Sequence, residues 1–138
     1  MPPDRPRLTE PEIIAAGGWP ARYARVLAIA QDGDHAFALV DGNSDGAELE
    51  AETWQWDGNG WTGGASGGAG PLDTLGPSQT GGQIGDSFFA YGRAPGRRKI
   101  TIAFDGQRHQ VPVSRDGVWA FIKTSTSPEP PAFPAPVA

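Results

Sequence analysis

The sequence contains no cysteine. Disulfides, zinc–thiolate sites, iron–sulfur clusters and cysteine nucleophiles are therefore excluded. Histidine is nearly absent as well: His35 and His109 stand 74 residues apart. No Gly-x-Ser-x-Gly elbow accompanies them, so the commonest general base has no visible partner set and no catalytic residue is assigned. No stretch approaches the ~18 consecutive apolar residues of a membrane span. The first residues, MPPDRPRLTEPE, lack the apolar run of a secretory signal, which makes a cytoplasmic location the default expectation. Basic residues are outnumbered, 11 against 16 acidic, for a net charge of −5. A nucleic-acid binder needs a dominant basic field, and the one basic run, Arg97-Arg98-Lys99, reads as a solvated turn. Neither nucleic acid nor membrane is expected as a partner.

What the chain has in abundance is glycine and proline. They number 20 and 14 of 138 residues, roughly twice the usual share of ~12%. This composition disfavours long helices and favours short strands joined by tight turns. At 38% apolar and 20% charged residues, the chain is neither disordered nor membrane-like in composition. The charge is uneven. Residues 1–69 carry four basic and eleven acidic side chains, net −7, and residues 70–138 are net +2.

Along the chain, residues 1–8 hold three prolines and read as a flexible arm. Thr9 and Glu12 are spaced as a capping box for a helix of at most two turns, stopped by Gly17-Gly18. Residues 22–40 read as a hairpin turning at Asp32-Gly33-Asp34. A further strand spans Glu48 to Asp57 and another opens at Trp61, so 22–62 forms one meander. The run Gly63 to Gly70 is a flexible linker by composition. Residues 71–86 read as an irregular connection. A second meander over 87–123 has turns at Pro95-Gly96, Asp105-Gly106 and Asp116-Gly117. The Pro-rich tail, 125–138, reads as mobile or laid across the surface, without regular structure. The expected fold is all-β: one antiparallel β-sandwich domain over 9–124 with a short N-terminal helix. Its two meanders share one core of Leu27, Ile29, Phe37, Leu39, Phe89, Tyr91, Ile100, Ile102, Trp119 and Phe121.

The segment Tyr91-Gly92-Arg93-Ala94-Pro95-Gly96, then Lys99-Ile100-Thr101-Ile102, then Asp116-Gly117-Val118-Trp119-Ala120-Phe121 resembles bacterial immunoglobulin-like β-sandwich modules. The resemblance covers about a third of the chain. It implies a scaffold or binding role and brings no catalytic residues.

Asp41-Gly42-Asn43-Ser44-Asp45-Gly46 followed by Glu52 matches the D-x-[DN]-x-[DN]-G-x₅-E spacing of an EF-hand calcium loop. Calcium takes six to eight hard oxygens, which alternate short acidic or amide side chains can aim at one point. Asp41, Asn43, Asp45 and Glu52 are the candidate ligands, with Ala47 offering its carbonyl. The flanks read as strands rather than helices, and Glu48 stands where an apolar residue is usual. The competing reading is a plain polar loop, since Asp, Asn and Gly are also turn residues.

Trp54, Trp56 and Glu50 share strand parity with Glu52, so an aromatic and acidic face suited to sugar rings is one reading. A core role for the tryptophans is the other. Gly58-Asn59-Gly60-Trp61-Thr62-Gly63 fits G-x-G-x-x-G literally. No helix can start in the glycine-rich stretch that follows, so it is not a dinucleotide fingerprint. The functional expectation is a non-enzymatic binding or structural module, with calcium as the candidate cofactor that would steady the 41–52 loop. Two alternatives stand beside it. One is a carbohydrate-binding or carbohydrate-active module that takes a glycan on the aromatic face. The other is an acidic regulator or immunity-type protein that binds a basic protein partner through residues 32–57.

Overall fold

The computed structural model describes residues 6–129 and 131–137, apart from the side chains of residues 79–81. Most of the expected arm, residues 1–5, lies outside the described set. One helix, α1 (Glu10–Ala16), precedes ten strands: β1 (Arg25–Asp32), β2 (His35–Asp41), β3 (Leu49–Trp56), β4 (Trp61–Gly70), β5 (Gln79–Ile84), β6 (Ser87–Arg93), β7 (Lys99–Phe104), β8 (Gln107–Pro112), β9 (Val118–Thr124) and β10 (Ala135–Pro136). They form three antiparallel sheets, ordered β1-β2-β3-β4, β5-β6-β9 and β10-β7-β8. The all-β, sandwich-like reading is correct. No helix among the described residues is long and apolar enough to cross a membrane.

Period-two alternation explains the stacking of the sheets. On β2, Ala36, Ala38 and Val40 pack with Ile13 of α1 and Trp54 of β3. Phe37 and Leu39 point the other way and meet Val118, Ala120 and Ile122 of β9. On β9, Trp119 and Phe121 point away from the first sheet, into a cluster with Ile100, Ile102 and Phe104 of β7. The β5-β6-β9 sheet is thus the middle layer, with the first sheet on one face and the third on the other. Helix α1 closes the outer face of the first sheet. The core is therefore divided between layers, and the expectation of one core shared by two meanders is corrected. Phe37 fastens the first layer to the second. Its ring stacks on Phe89 and on Tyr91 at 5.0 and 5.3 Å.

Several segments differ from expectation. The glycine-rich stretch 63–70 belongs to β4, the edge partner of β3. Its backbone groups are held by the β3 ladder although it has almost no side chains to bury. Thr53 secures the bulge there: its Oγ1 accepts from the Ala65 N–H at 2.9 Å and donates to the Ala65 carbonyl at 3.1 Å. The connection 71–86 contains a 3₁₀ turn (Leu72–Thr74) and β5, which pairs with β6. Leu8 at the end of the expected arm is buried, its N–H donating to Gln31 Oε1, and the Pro6 carbonyl accepts the Trp61 indole N–H. The tail includes a two-residue strand on β7. Of the expected core residues, Ile29 is exposed, and Phe89 and Tyr91 are half-buried where they border a cleft beside the glycine-rich β4. The capping box does not form: Thr9 makes no side-chain hydrogen bond to the helix backbone, and its Oγ1 donates instead to Glu12 Oε1 at 3.0 Å.

Glycine is required sterically at Gly92. A Cβ there would sit 2.3 Å from the Pro77 carbonyl oxygen. That carbonyl accepts the Trp119 indole N–H, at 3.2 Å. Small size at Gly92 thus lets the chain before β5 cover the middle sheet.

Phe37→Ala removes the stacked ring that couples the first two layers. We expect a loss of ~3–5 kcal/mol of unfolding free energy in urea denaturation, the range for a buried phenylalanine.

Candidate functional site

The expected calcium ligands do not converge. In the β2–β3 ladder Asp41 pairs with Leu49, and Glu52 pairs with Ala38. Residues 38 and 41 are three apart on one strand, so Asp41 and Glu52 point to opposite faces of the sheet, about 10 Å apart along it. Asp41 is fully buried on the face toward β9. Its carboxylate accepts from the Asn43 N–H at 3.3 Å and the Gly46 N–H at 2.8 Å. The Arg25 guanidinium lies 4.0 Å away and reaches Asp116 at 3.0 Å. Asp45 accepts from the Ala47 N–H and from Asn43 Nδ2. Ser44 and Gly46 take positive φ angles of 56° and 71°. The Ser44 hydroxyl donates to the Tyr23 carbonyl. Asp41 and Asp45 act here as turn acceptors, the ordinary role of aspartate in a tight loop. Among the described residues no group of three or more His, Asp and Glu side chains is placed to hold a metal ion.

The aromatic residues also separate. Trp54 is buried between α1 and the first sheet and presents no ring face to solvent. Trp56 is half-buried, edge-on to Trp61 at 5.7 Å. The Gly58–Gly63 segment covers the β3–β4 turn and the first residues of β4. Asp57 Oδ1 accepts from the Asn59 and Gly60 N–H groups there, and these bonds hold the Asp57 carboxyl below its usual range.

Glu52 and Glu50 lead to a feature that the sequence did not disclose. Glu52 is buried, and its Oε2 accepts the Trp19 indole N–H at 3.2 Å. Burial pushes the Glu52 carboxyl above its ordinary value of 4.5, and the neighbouring Glu50 charge acts in the same direction. The Trp19 and Trp54 indole N–H groups oppose that rise, although only the Trp19 contact meets hydrogen-bond geometry. Trp19 packs against backbone that only glycine leaves open. A Cβ at Gly42 would be 2.7 Å from the Trp19 ring, and one at Gly17 would be 2.8 Å from it. The indole forms one wall of a cleft of about 450 Å³, bordered by Pro20, Asn43, Asp45, Glu48 and Glu50. Three carboxylates line this cleft and no Lys, Arg or His does. Of these residues Asn43, Asp45 and Glu50 are candidates from the sequence. Trp19 was missed because it is remote in sequence, and Glu48 was covered only by the broad acidic stretch 32–57, not singled out as a site residue.

His35 and His109 do not meet in a common site. His109 packs against the Phe121 ring at 5.2 Å, whereas His35 ends the β1–β2 turn opposite Asp32. No protein-family model matches the sequence, and no curated protein or solved structure shows significant similarity to it.

Two predictions follow from this geometry. Because Asp41 is committed to the loop and faces away from Glu52, the melting temperature should be the same in EDTA and in millimolar calcium. A calcium-dependent rise of several degrees in a thermal melt would contradict the placement. The raised pKa of Glu52 means that the folded chain holds this proton more tightly than the unfolded chain. Its contribution to stability is therefore full below pH 4.5 and is lost as pH rises through the folded value. Glu52→Gln should melt higher than wild type at pH 7, with the difference shrinking toward pH 4. Equal melting temperatures across that range would show that the carboxylate is not strained by burial.

Proposed function

We propose that this chain is a non-enzymatic binding module that receives a cationic segment of a partner protein in the Trp19 cleft. The observation that carries the reading is the lining: an indole wall with Asp45, Glu48 and Glu50 around it and no basic side chain. A Lys or Arg side chain fits that chemistry. Its charge gains from the indole face, a contact worth ~0.5–2 kcal/mol depending on desolvation. Exposed carboxylates add little singly, since surface ion pairs contribute ~0–1 kcal/mol each. Together they set the sign of the local field and speed encounter with a basic partner. Residues 1–69, at net −7, extend that field beyond the cleft.

The resemblance of residues 91–121 to bacterial immunoglobulin-like modules supports the same non-enzymatic reading, since such modules are scaffolds and binders. The carbohydrate alternative is less well supported, because Trp54 is enclosed and Trp56 is half-covered by Trp61.

A tetralysine peptide titrated calorimetrically into the full chain tests the proposal. We expect saturable binding at low salt that weakens as salt is added over the range where the Debye length falls from ~30 to ~10 Å. Trp19→Ala and the Glu48→Gln/Glu50→Gln pair should each reduce the affinity by about tenfold, close to 1.4 kcal/mol. Equal binding by wild type and both variants, or no dependence on salt, would remove the cleft from consideration.

A further inference from the structure

The C-terminal tail is bound to the molecule in the manner of a ligand. After β9 it passes the β7–β8 turn, where the Ser125 and Ser127 hydroxyls donate to the Asp105 carboxylate. It then returns along the open edge of β7. Phe133 sets its ring edge-on to Phe88 at 5.6 Å, and Phe88 in turn contacts Phe104 at 5.4 Å. Pro134 is fully buried. Ala135 and Pro136 pair antiparallel with Ala103 and Ile102, and the Val137 N–H donates to the Thr101 carbonyl at 2.9 Å.

Those contacts are the components of strand addition: main-chain bonds to a sheet edge for affinity, with side-chain seats for selectivity. Proline suits an edge, where only one side of the added strand must supply N–H groups. Its fixed φ also lowers the entropy lost on ordering an extended segment. Other features set the tail apart from a core strand. Its ladder is two residues long. Phe133 remains 43% exposed. A groove of about 470 Å³ stays open between Pro131–Phe133 and the β7–β8 turn.

We infer that the β7 edge, with the Phe88–Phe104 wall, is an acceptor site for an extended aromatic-Pro-x-Pro segment of a partner, and that the chain's own tail occupies it in cis. The tail is the internal competitor. A tether of this length gives an effective concentration on the order of millimolar. A partner segment of the same chemistry therefore engages only when the tail is weakened or displaced. This site is separate from the Trp19 cleft, and neither reading depends on the other.

The test uses the full chain with the tail weakened rather than removed. A fluorophore-labelled peptide of the sequence of residues 131–138 is titrated into wild type and into the Phe133→Ala/Pro134→Ala variant, with anisotropy as the readout. Near-ultraviolet circular dichroism checks that the variant is folded. We expect the variant to bind the peptide at least roughly tenfold more tightly than wild type, where the tethered tail competes. A peptide carrying the same two alanine substitutions should lose binding to the variant. A folded variant that shows no saturable binding overturns the inference, as does equal binding of both peptides. Should the double variant fail to fold, hydrogen exchange on wild type decides. The Val137 amide should then exchange at least roughly tenfold faster than the Ile102 amide of the adjoining strand, as a locally opening segment does. Exchange of both at the rate of global unfolding would make the tail an integral strand and overturn the inference.

Discussion

Strands β6 and β9 are apolar on both faces, and the three-layer arrangement depends on that constraint. A strand with Trp119 and Phe121 on one side and Val118, Ala120 and Ile122 on the other cannot leave either face in water. Each face has to be covered by a separate sheet. The hairpin of β7 and β8 covers one, and the β1–β4 meander covers the other. Phe37, held between Phe89 and Tyr91, couples the meander to the middle layer. Two ion pairs at opposite ends of β1 align the same interface: Arg25 with Asp116 at 3.0 Å and Lys123 with Asp32 at 3.6 Å. Asp32 also accepts the Thr124 N–H.

The N-terminal sheet then has an outer face of its own to cover, and that requirement creates the cleft. Helix α1 is only two turns long. It buries Ile13 and leaves the end of β2 and the start of β3 to be covered by Trp19. The indole serves two purposes there. Its N–H binds the buried Glu52 carboxylate, and its ring forms a wall beside Glu48 and Glu50. Burying a carboxylate is unfavourable unless hydrogen bonds compensate it, so Glu52 ties the position of Trp19 to the fold. The positioning of the proposed cation site is therefore a by-product of how a small sheet closes its exposed face.

The tail solves a related problem at the other end of the molecule. The third sheet has only β7 and β8 as long strands, and β7 would otherwise present an unpaired edge over the Phe88–Phe104 cluster. Unpaired edges invite association with other chains. Covering this one with a proline-containing segment leaves little capacity for a further strand to add, since Pro136 has no N–H to donate.

Strand positions in the C-terminal half were legible in the sequence because turn residues and alternating apolar residues agree there. Asp105-Gly106 and Asp116-Gly117 flank runs in which Ile100, Ile102, Trp119 and Phe121 keep strict parity, so local and global signals coincide. The continuation of β4 through residues 63–70 was illegible for the opposite reason. A run of Gly, Ala and Ser has no pattern to read, and its pairing is decided by the open backbone of β3. The calcium loop shows the same limit from another side. Its spacing is a property of the chain, but whether two carboxylates face one point depends on the parity of the strand that follows. The strand placed Asp41 and Glu52 on opposite faces. The sequence by itself determined the all-β class, the absence of thiol chemistry and the acidic N-terminal half. Tertiary structure alone decided that Trp19 lines one cleft with Glu48 and Glu50 and that Pro134 lies buried beside β7. Both arrangements join segments distant along the chain, and only packing against the intervening sheets brings them together.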